Sequence, residues 1–232
     1  MRVPADRLPC LAVVGLALLL GAAGGQPPNW PWSAVGRVLT DGQGPCSGVL
    51  VAPALVLTVG HCIAGGPGWQ PRALDRLRVE LGGREHAVTA VRLDPASPFG
   101  PNGKPHDLSH DWALLELTEP SRVPPVPYGG ATAARRAYAT DEPLTKVGWQ
   151  PLPAGFASRL NDPDCRIAEL PAEARTLVYR CPEGAGPGRS GSALLLPAGN
   201  SWEVVAVQSA IASPGGIESG IAVVTDSVSA SP

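Results

Sequence analysis

The usual builders of a β-rich core are scarce here: the 232 residues hold one Met, two Phe and three Tyr. A packed interior must therefore come from Val, Leu, Ile, Ala and the six Trp, and an apolar content of 44% is ample for that. Charge is thin on both sides. Lys and Arg total 18 against 20 Asp and Glu, a net of −2 with a pI of about 6.1, so nothing favours nucleic acid or an anionic membrane as a partner. No long stretch carries apolar residues at helical spacing, which argues against a helical bundle. The longest apolar run, Leu11 to Leu20, is too short to span a bilayer comfortably. What is abundant is Gly (28) and Pro (27), the signature of many turns between short elements.

That early apolar run belongs to a targeting signal. Arg2 and Arg7 precede it, and the small residues Gly21-Ala22-Ala23-Gly24-Gly25 follow it as a cleavage zone, so residues 1–25 are expected to be removed on export. Cys10 would leave with them. It precedes the apolar run, whereas a lipid-anchored Cys would follow it, so no stable membrane insertion is expected after cleavage. The four cysteines left, Cys46, Cys62, Cys165 and Cys181, suggest two disulfides in a secreted or periplasmic protein, with three possible connectivities. The spacing favours Cys46 with Cys62 and Cys165 with Cys181. A zinc site is the rival. It finds no Cys-x-x-Cys and no neighbouring His except His61, so neither metal nor cofactor is expected.

The rest reads as short β-prone runs separated by turn chemistry, an all-β pattern. Ser33 to Thr40 ends at Asp41-Gly42-Gln43-Gly44; Ser47 to Leu57 breaks at Ala52-Pro53-Ala54; Leu77 to Leu81 and His86 to Leu93 flank Gly82-Gly83. Trp112 to Leu117 closes the first half. Residues 119–139 hold four Pro, two Gly and little periodicity, and read as a linker. Strand-like runs resume at 145–149, 176–179, 192–196, 202–211 and 220–224. Residues 97–107 read as a surface loop and 227–232 as a low-complexity tail. The division expected is 30–125 and 126–228.

Three segments carry chemistry. In the first, Thr58-Val59-Gly60-His61-Cys62 follows an apolar hairpin that begins at Cys46, so a disulfide could hold the histidine's backbone still, as a general base needs. In the second, Asp111 stands at the mouth of the apolar run Trp112-Ala113-Leu114-Leu115, where burial is costly unless the carboxylate is hydrogen-bonded. An imidazole N–H is a suitable donor. Asp107 is the competitor, but it lies in a loop that leads into no buried strand. In the third, Gly188-Arg189-Ser190-Gly191-Ser192 precedes another apolar strand. Its glycines allow the N–H groups of Gly188 and Ser190 to converge as an oxyanion hole beside a Ser190 nucleophile.

Chain order narrows the class. The last histidine is His110, so an order of Ser, acid, His is impossible. An acid-first order would need Asp41, which lies in a polar turn with no helix-borne Ser motif after it. His, Asp, Ser remains, the order of double β-barrel peptidases.

From about Pro31 to Thr225 the chain resembles the trypsin/chymotrypsin-like serine protease family. The likeness is carried by Pro31-Trp32-Ser33-Ala34-Val35, Thr58-Val59-Gly60-His61-Cys62, Asp111-Trp112-Ala113-Leu114-Leu115 and Val147-Gly148-Trp149. It implies two six-stranded antiparallel β-barrels with the active site in their cleft, His61 and Asp111 from the first and Ser190 from the second. It further implies a secreted serine endopeptidase that acts on protein or peptide substrates through an acyl-enzyme and works as a monomer. A catalytically silent binding protein on the same scaffold and an exported serine esterase are the alternatives.

Gly188-Arg189-Ser190-Gly191-Ser192 departs from the digestive enzymes' Gly-Asp-Ser-Gly-Gly and is more like the bacterial glutamyl-endopeptidase-like branch. The resemblance implies a pocket floor at Gly184 and walls at Ser209, Ile211 and Gly220. None is acidic, so no clean preference for Arg or Lys is indicated, and Ile211 would favour small or medium aliphatic side chains. Glu183 and Glu218 are near in sequence but read as solvated loop carboxylates. Every His precedes the second half, which counts against strict glutamyl specificity. Arg189 cannot pair with a new N-terminus as the digestive enzymes' Asp does, and no Ile-Val-Gly-Gly precedes Pro31, so activation by that route is not expected.

Overall fold

The computed structural model describes residues 29–41, 46–65, 69–96, 98–99, 106–153 and 157–224. The expected signal at 1–25, the tail at 227–232 and much of the 97–107 loop lie outside the described residues.

Fourteen strands are described. The first half holds β1 (Val35–Thr40), β2 (Cys46–Ala52), β3 (Leu55–Thr58), the two-residue pair β4 (Ala64–Gly65) and β5 (Gln70–Pro71), β6 (Leu77–Leu81), β7 (Arg84–Leu93) and β8 (Ala113–Leu117). The second holds β9 (Leu144–Pro151), β10 (Ala157–Glu169), β11 (Thr176–Arg180), β12 (Ala193–Ala198), β13 (Ser201–Ala212) and β14 (Ser219–Val223). Twelve of them close into two six-stranded antiparallel barrels, ordered β1-β2-β3-β8-β7-β6 and β10-β11-β14-β13-β12-β9. Closure leaves neither barrel a free edge.

Local sequence explains the pieces. In β6, Leu77, Val79 and Leu81 point into the core while Arg78 and Glu80 alternate outward. Gly82 and Gly83 both take positive φ (56° and 79°), the two-residue turn that joins β6 to β7. β2 and β12 are almost wholly buried because both faces are covered. Leu194 and Leu196 fill the second barrel, while Ala193 and Leu195 pack into the core shared with the first. Both cysteine pairs are disulfides: Cys46–Cys62 ties β2 to the one-turn helix α1 (Gly60–Ile63), and Cys165–Cys181 ties β10 to the chain just after β11.

Two expectations need correcting. The segment taken as a linker contains α2 (Gly130–Thr140). Alanine has the highest helix propensity, and Ala133, Ala134 and Ala137 form a buried stripe against β10 and β13. Asp141 ends the helix in the left-handed conformation (φ 52°). The 13-residue β10 was not among the expected strand-like runs; Asn161-Asp162-Pro163-Asp164 within it has the composition of a turn. Its register with β9 shifts between Asp162 and Cys165, with Asp164 at φ 63°. Such a bulge is where a sheet accommodates proline.

Candidate active site

His61 reaches the cleft from α1, whose sequence neighbour Cys62 is bonded back to the start of β2. Asp111 follows a 3-10 turn at Leu108–His110 and is wholly buried. Ser190 lies in the loop before β12. The fold brings the three together. The Asp111 Oδ2 lies 2.7 Å from His61 Nδ1, and His61 Nε2 lies 2.9 Å from Ser190 Oγ. The His61 backbone N–H donates to Asp111 Oδ1 at 2.8 Å, and Ser209 Oγ donates to Asp111 Oδ2 at 2.5 Å. Three donors therefore serve one buried carboxylate, the condition under which burial of its charge is tolerated. His61 keeps 28% of its side chain exposed, open to an incoming substrate.

Asp107 plays no part in this. Hydrogen bonds from the Ser109 hydroxyl and from its backbone N–H, the latter at 3.0 Å, hold the Asp107 carboxyl below the usual carboxylate range, and it faces His110 at 3.5 Å. Phe99 stands edge-on to His61, ring centroids 6.3 Å apart, and against Trp69 at 5.9 Å, giving an aromatic wall beside the imidazole.

Ser47, not singled out in the sequence, holds the backbone of Ser190. Its N–H donates to the Ser190 carbonyl at 2.8 Å, its hydroxyl accepts the Trp149 N–H at 2.8 Å, and its carbonyl accepts Thr58 Oγ1 at 2.6 Å. One residue of the first barrel thus touches both β9 and the loop before β12 in the second. The approach is so close that a Cβ on Gly191 (φ +78°) would sit 2.0 Å from the Ser47 carbonyl oxygen. Gly191→Ala is therefore expected to cost activity at least ~100-fold by displacing Ser190, together with a lower Tm. Hydrolysis assays and thermal melts check both.

The remaining sites fall out unevenly. Gly188 takes φ +74°, a conformation glycine permits, with Pro151 packed where a Cβ would lie. Gly184 also takes positive φ (+70°), and its carbonyl is turned inward to Lys146 Nζ. Ser209, expected as a pocket wall, instead spends its hydroxyl on Asp111. Ile211 is 42% exposed and pairs with Gly220 across β13 and β14. Behind Gly220 lies the Tyr179 ring, which leaves no room for a Cβ there. Tyr179 OH donates to Gln208 Oε1 at 2.5 Å, and burial pushes its phenol far above the ordinary range.

Among the described residues, one cluster of side chains has the proximity a metal ion would need. Asp162, Cys165 and Cys181 cluster, but both thiols are spent in a disulfide. A groove of about 1030 Å³ beside the β6–β7 turn, bordered by Trp32, Arg84, Glu119, Trp149 and Arg159, contains none of the three clustered side chains. Among the described residues, no helix is long and apolar enough to cross a membrane.

Comparison with known proteins agrees with this geometry. The family model described as a trypsin-like peptidase domain matches residues 46–207. The chain is 31% identical over 185 residues to serine protease 56 of Homo sapiens, covering 76% of this chain and 28% of that protein. It is 30% identical over 140 residues to kallikrein-1E2 of Equus caballus, 48% of this chain and 49% of that one. Serine protease 56 of Mus musculus is 27% identical over 183 residues, with shares of 76% and 28%. The chain thus spans 28% to 49% of the length of these relatives. All three are mammalian, so the likeness to the bacterial glutamyl-endopeptidase branch stays confined to the motif around Ser190.

Proposed function

This chain belongs to the trypsin-like peptidase family, and from that premise we propose that it is a secreted serine endopeptidase in which Ser190 is the nucleophile, His61 its general base and Asp111 the group that orients the histidine. The observation that carries the reading is the unbroken hydrogen-bonded line from Asp111 through His61 to Ser190, at 2.7 and 2.9 Å. Nδ1 held by a carboxylate keeps its proton, which leaves Nε2 free to take the proton from Ser190 Oγ as it attacks a carbonyl carbon. The imidazolium so formed is stabilised by Asp111 and returns the proton to the leaving amine. Water then enters by the reverse route and hydrolyses the acyl-enzyme. The amides of Gly188 and Ser190 are assigned to the developing oxyanion, each donor worth about 3 kcal/mol.

The pocket supports side chains of small or medium aliphatic size. Ile211, 42% exposed, stands at the rim, and none of Gly184, Ile211 and Gly220 carries a charge. The likeness to the glutamyl-endopeptidase branch lends nothing to this choice, because no His among the described residues of the second barrel could grip an acidic side chain. Two disulfides support an oxidising, extracellular or periplasmic location. Protein or peptide substrates and a monomeric state complete the proposal.

A peptide-library digest read by mass spectrometry tests it. Cleavage is expected after small or medium aliphatic residues, and Ile211→Gly should shift the preference toward larger and aromatic ones. Dominant cleavage after Arg, Lys or Glu would overturn the pocket assignment, and turnover of acyl esters without any peptide cleavage would overturn the peptidase.

A further inference from the structure

Residues 183–186 lead directly into the Gly188–Ser190 loop, and the backbone of this segment is bound throughout. The Glu183 N–H donates to Asp162 Oδ2 at 3.2 Å, and its carbonyl accepts from Arg189 Nη1 at 3.1 Å. The Gly184 N–H donates to the Cys181 carbonyl at 3.0 Å. The Gly184 carbonyl accepts from two cations, Lys146 Nζ and Arg189 Nη1. The Ala185 and Gly186 carbonyls face Gln208 Nε2 at 3.2 and 3.5 Å, and the Gly186 N–H donates to Glu218 Oε1 at 2.8 Å. Amides of both Ala185 and Gly186 hold the Glu218 carboxyl below its usual range.

Most of these partners are not incidental surface groups. Lys146 has no exposed surface and sits 3.6 Å from the equally buried Asp162, with its ammonium over the Tyr179 ring at 5.8 Å. A buried ion pair is weak as a source of stability and costly to keep, so its retention calls for another role. Its position supplies one: the ammonium ends on the carbonyl of the residue assigned to the pocket floor. Arg189, immediately before the nucleophile, folds its guanidinium back over Gly186, where a Cβ would lie 2.7 Å from its Nε.

We propose that Lys146, Arg189 and Glu218 are positioning residues that clamp residues 183–186 from within, so that the pocket floor and the Gly188–Ser190 loop are formed by the folded chain alone. The inference rests on the peptidase reading above and deepens it. Two cations of the same chain bind the loop's carbonyls, and the Glu218 carboxylate binds the Gly186 and Ala185 amides. No ammonium from a newly cut chain terminus is required to order it.

The protonation of Lys146 follows from the same surroundings. Burial and the nearby Arg189 charge push it down to about 8, against the opposing pull of Asp162 and Glu218. The same burial pushes Asp162 up. As pH rises through about 8 the ammonium is lost and the hold on Gly184 weakens. Folding stability moves the other way. The unfolded chain keeps this proton up to the ordinary 10.5, so this group's contribution makes the fold more stable between about 8 and 10.5. An alkaline fall in activity from this source is therefore not global unfolding.

The test compares the wild-type protein with Lys146→Met/Asp162→Asn, which removes the charge pair but keeps an acceptor for Glu183, and with Arg189→Ala. Two readouts are taken on samples with matched Tm and far-UV spectra: amide hydrogen exchange of residues 182–190, and the rate of fluorophosphonate labelling from pH 6 to 10. Expected are faster exchange in the loop and at least ~10-fold slower labelling in both variants, with the alkaline fall near pH 8 absent from the double variant. Should the double variant fail to fold, Arg189→Ala decides, since it leaves the buried pair in place. Unchanged exchange and labelling in a folded variant overturn the clamp. Exchange that responds in a wild type that never labels leaves the clamp standing and removes the peptidase reading instead.

Discussion

Ser190→Ala is expected to abolish hydrolysis, with kcat falling about 10⁴- to 10⁶-fold, while the protein folds as before. The loss is confined because, among the described residues, the Ser190 hydroxyl bonds to His61 alone, at 2.9 Å. The segment is held through its backbone, by Ser47 N–H to the Ser190 carbonyl and Gly191 N–H to the Gln208 carbonyl, each at 2.8 Å. Both bonds survive the substitution. Steady-state rates on a cleavable peptide and a thermal melt check the two halves of the expectation. A variant that keeps more than about a hundredth of wild-type kcat would mean another nucleophile, given the usual size of such losses.

Asp111→Asn should cost nearly as much, about 10⁴-fold in kcat, with little change in KM. The side chain accepts three hydrogen bonds, from the His61 N–H, His61 Nδ1 and Ser209 Oγ. Asparagine matches its shape but offers one oxygen. If that oxygen stays on the His61 backbone, the amide NH₂ faces Nδ1 and can only donate to it. The ring is then forced to carry its proton on Nε2, where it cannot accept one from Ser190. Size is unchanged and the site is buried, so the defect is one of proton placement. Parallel kcat and KM measurements distinguish it from lost substrate binding, which would raise KM instead.

The sequence made some of this legible for clear physical reasons. His61 stood out because Cys62 follows it and Cys46 opens the hairpin before it, and that disulfide is present. Asp111 stood out as a carboxylate leading into buried Ala113–Leu117. The all-β character could be read from alternation in β6 and from Gly82-Gly83, local features that need no distant partner, whereas the two closed barrels were implied by the family resemblance.

What escaped depends on distant partners or on composition that misleads. Ser47 looked like any small residue after a Cys, since its contacts lie 102 and 143 positions away at Trp149 and Ser190. Ser209 reads as a pocket wall by position, and only the folded chain turns it onto Asp111. The α2 alanines were masked by the Pro and Gly around them. Lys146 was not singled out, although it shares a strand face with the buried Leu144 and Gly148. That parity was the available sign that its charge is turned inward. Asp162 was hidden inside a run that mimics a turn.

The most direct measurement is labelling by a fluorophosphonate probe of protein produced without residues 1–25 and otherwise uncut, with the modified residue mapped by mass spectrometry. The account predicts rapid labelling at Ser190, abolished in Ser190→Ala and His61→Ala, with no prior proteolysis. Absence of labelling in the folded wild-type protein, or labelling at any residue other than Ser190, would contradict it.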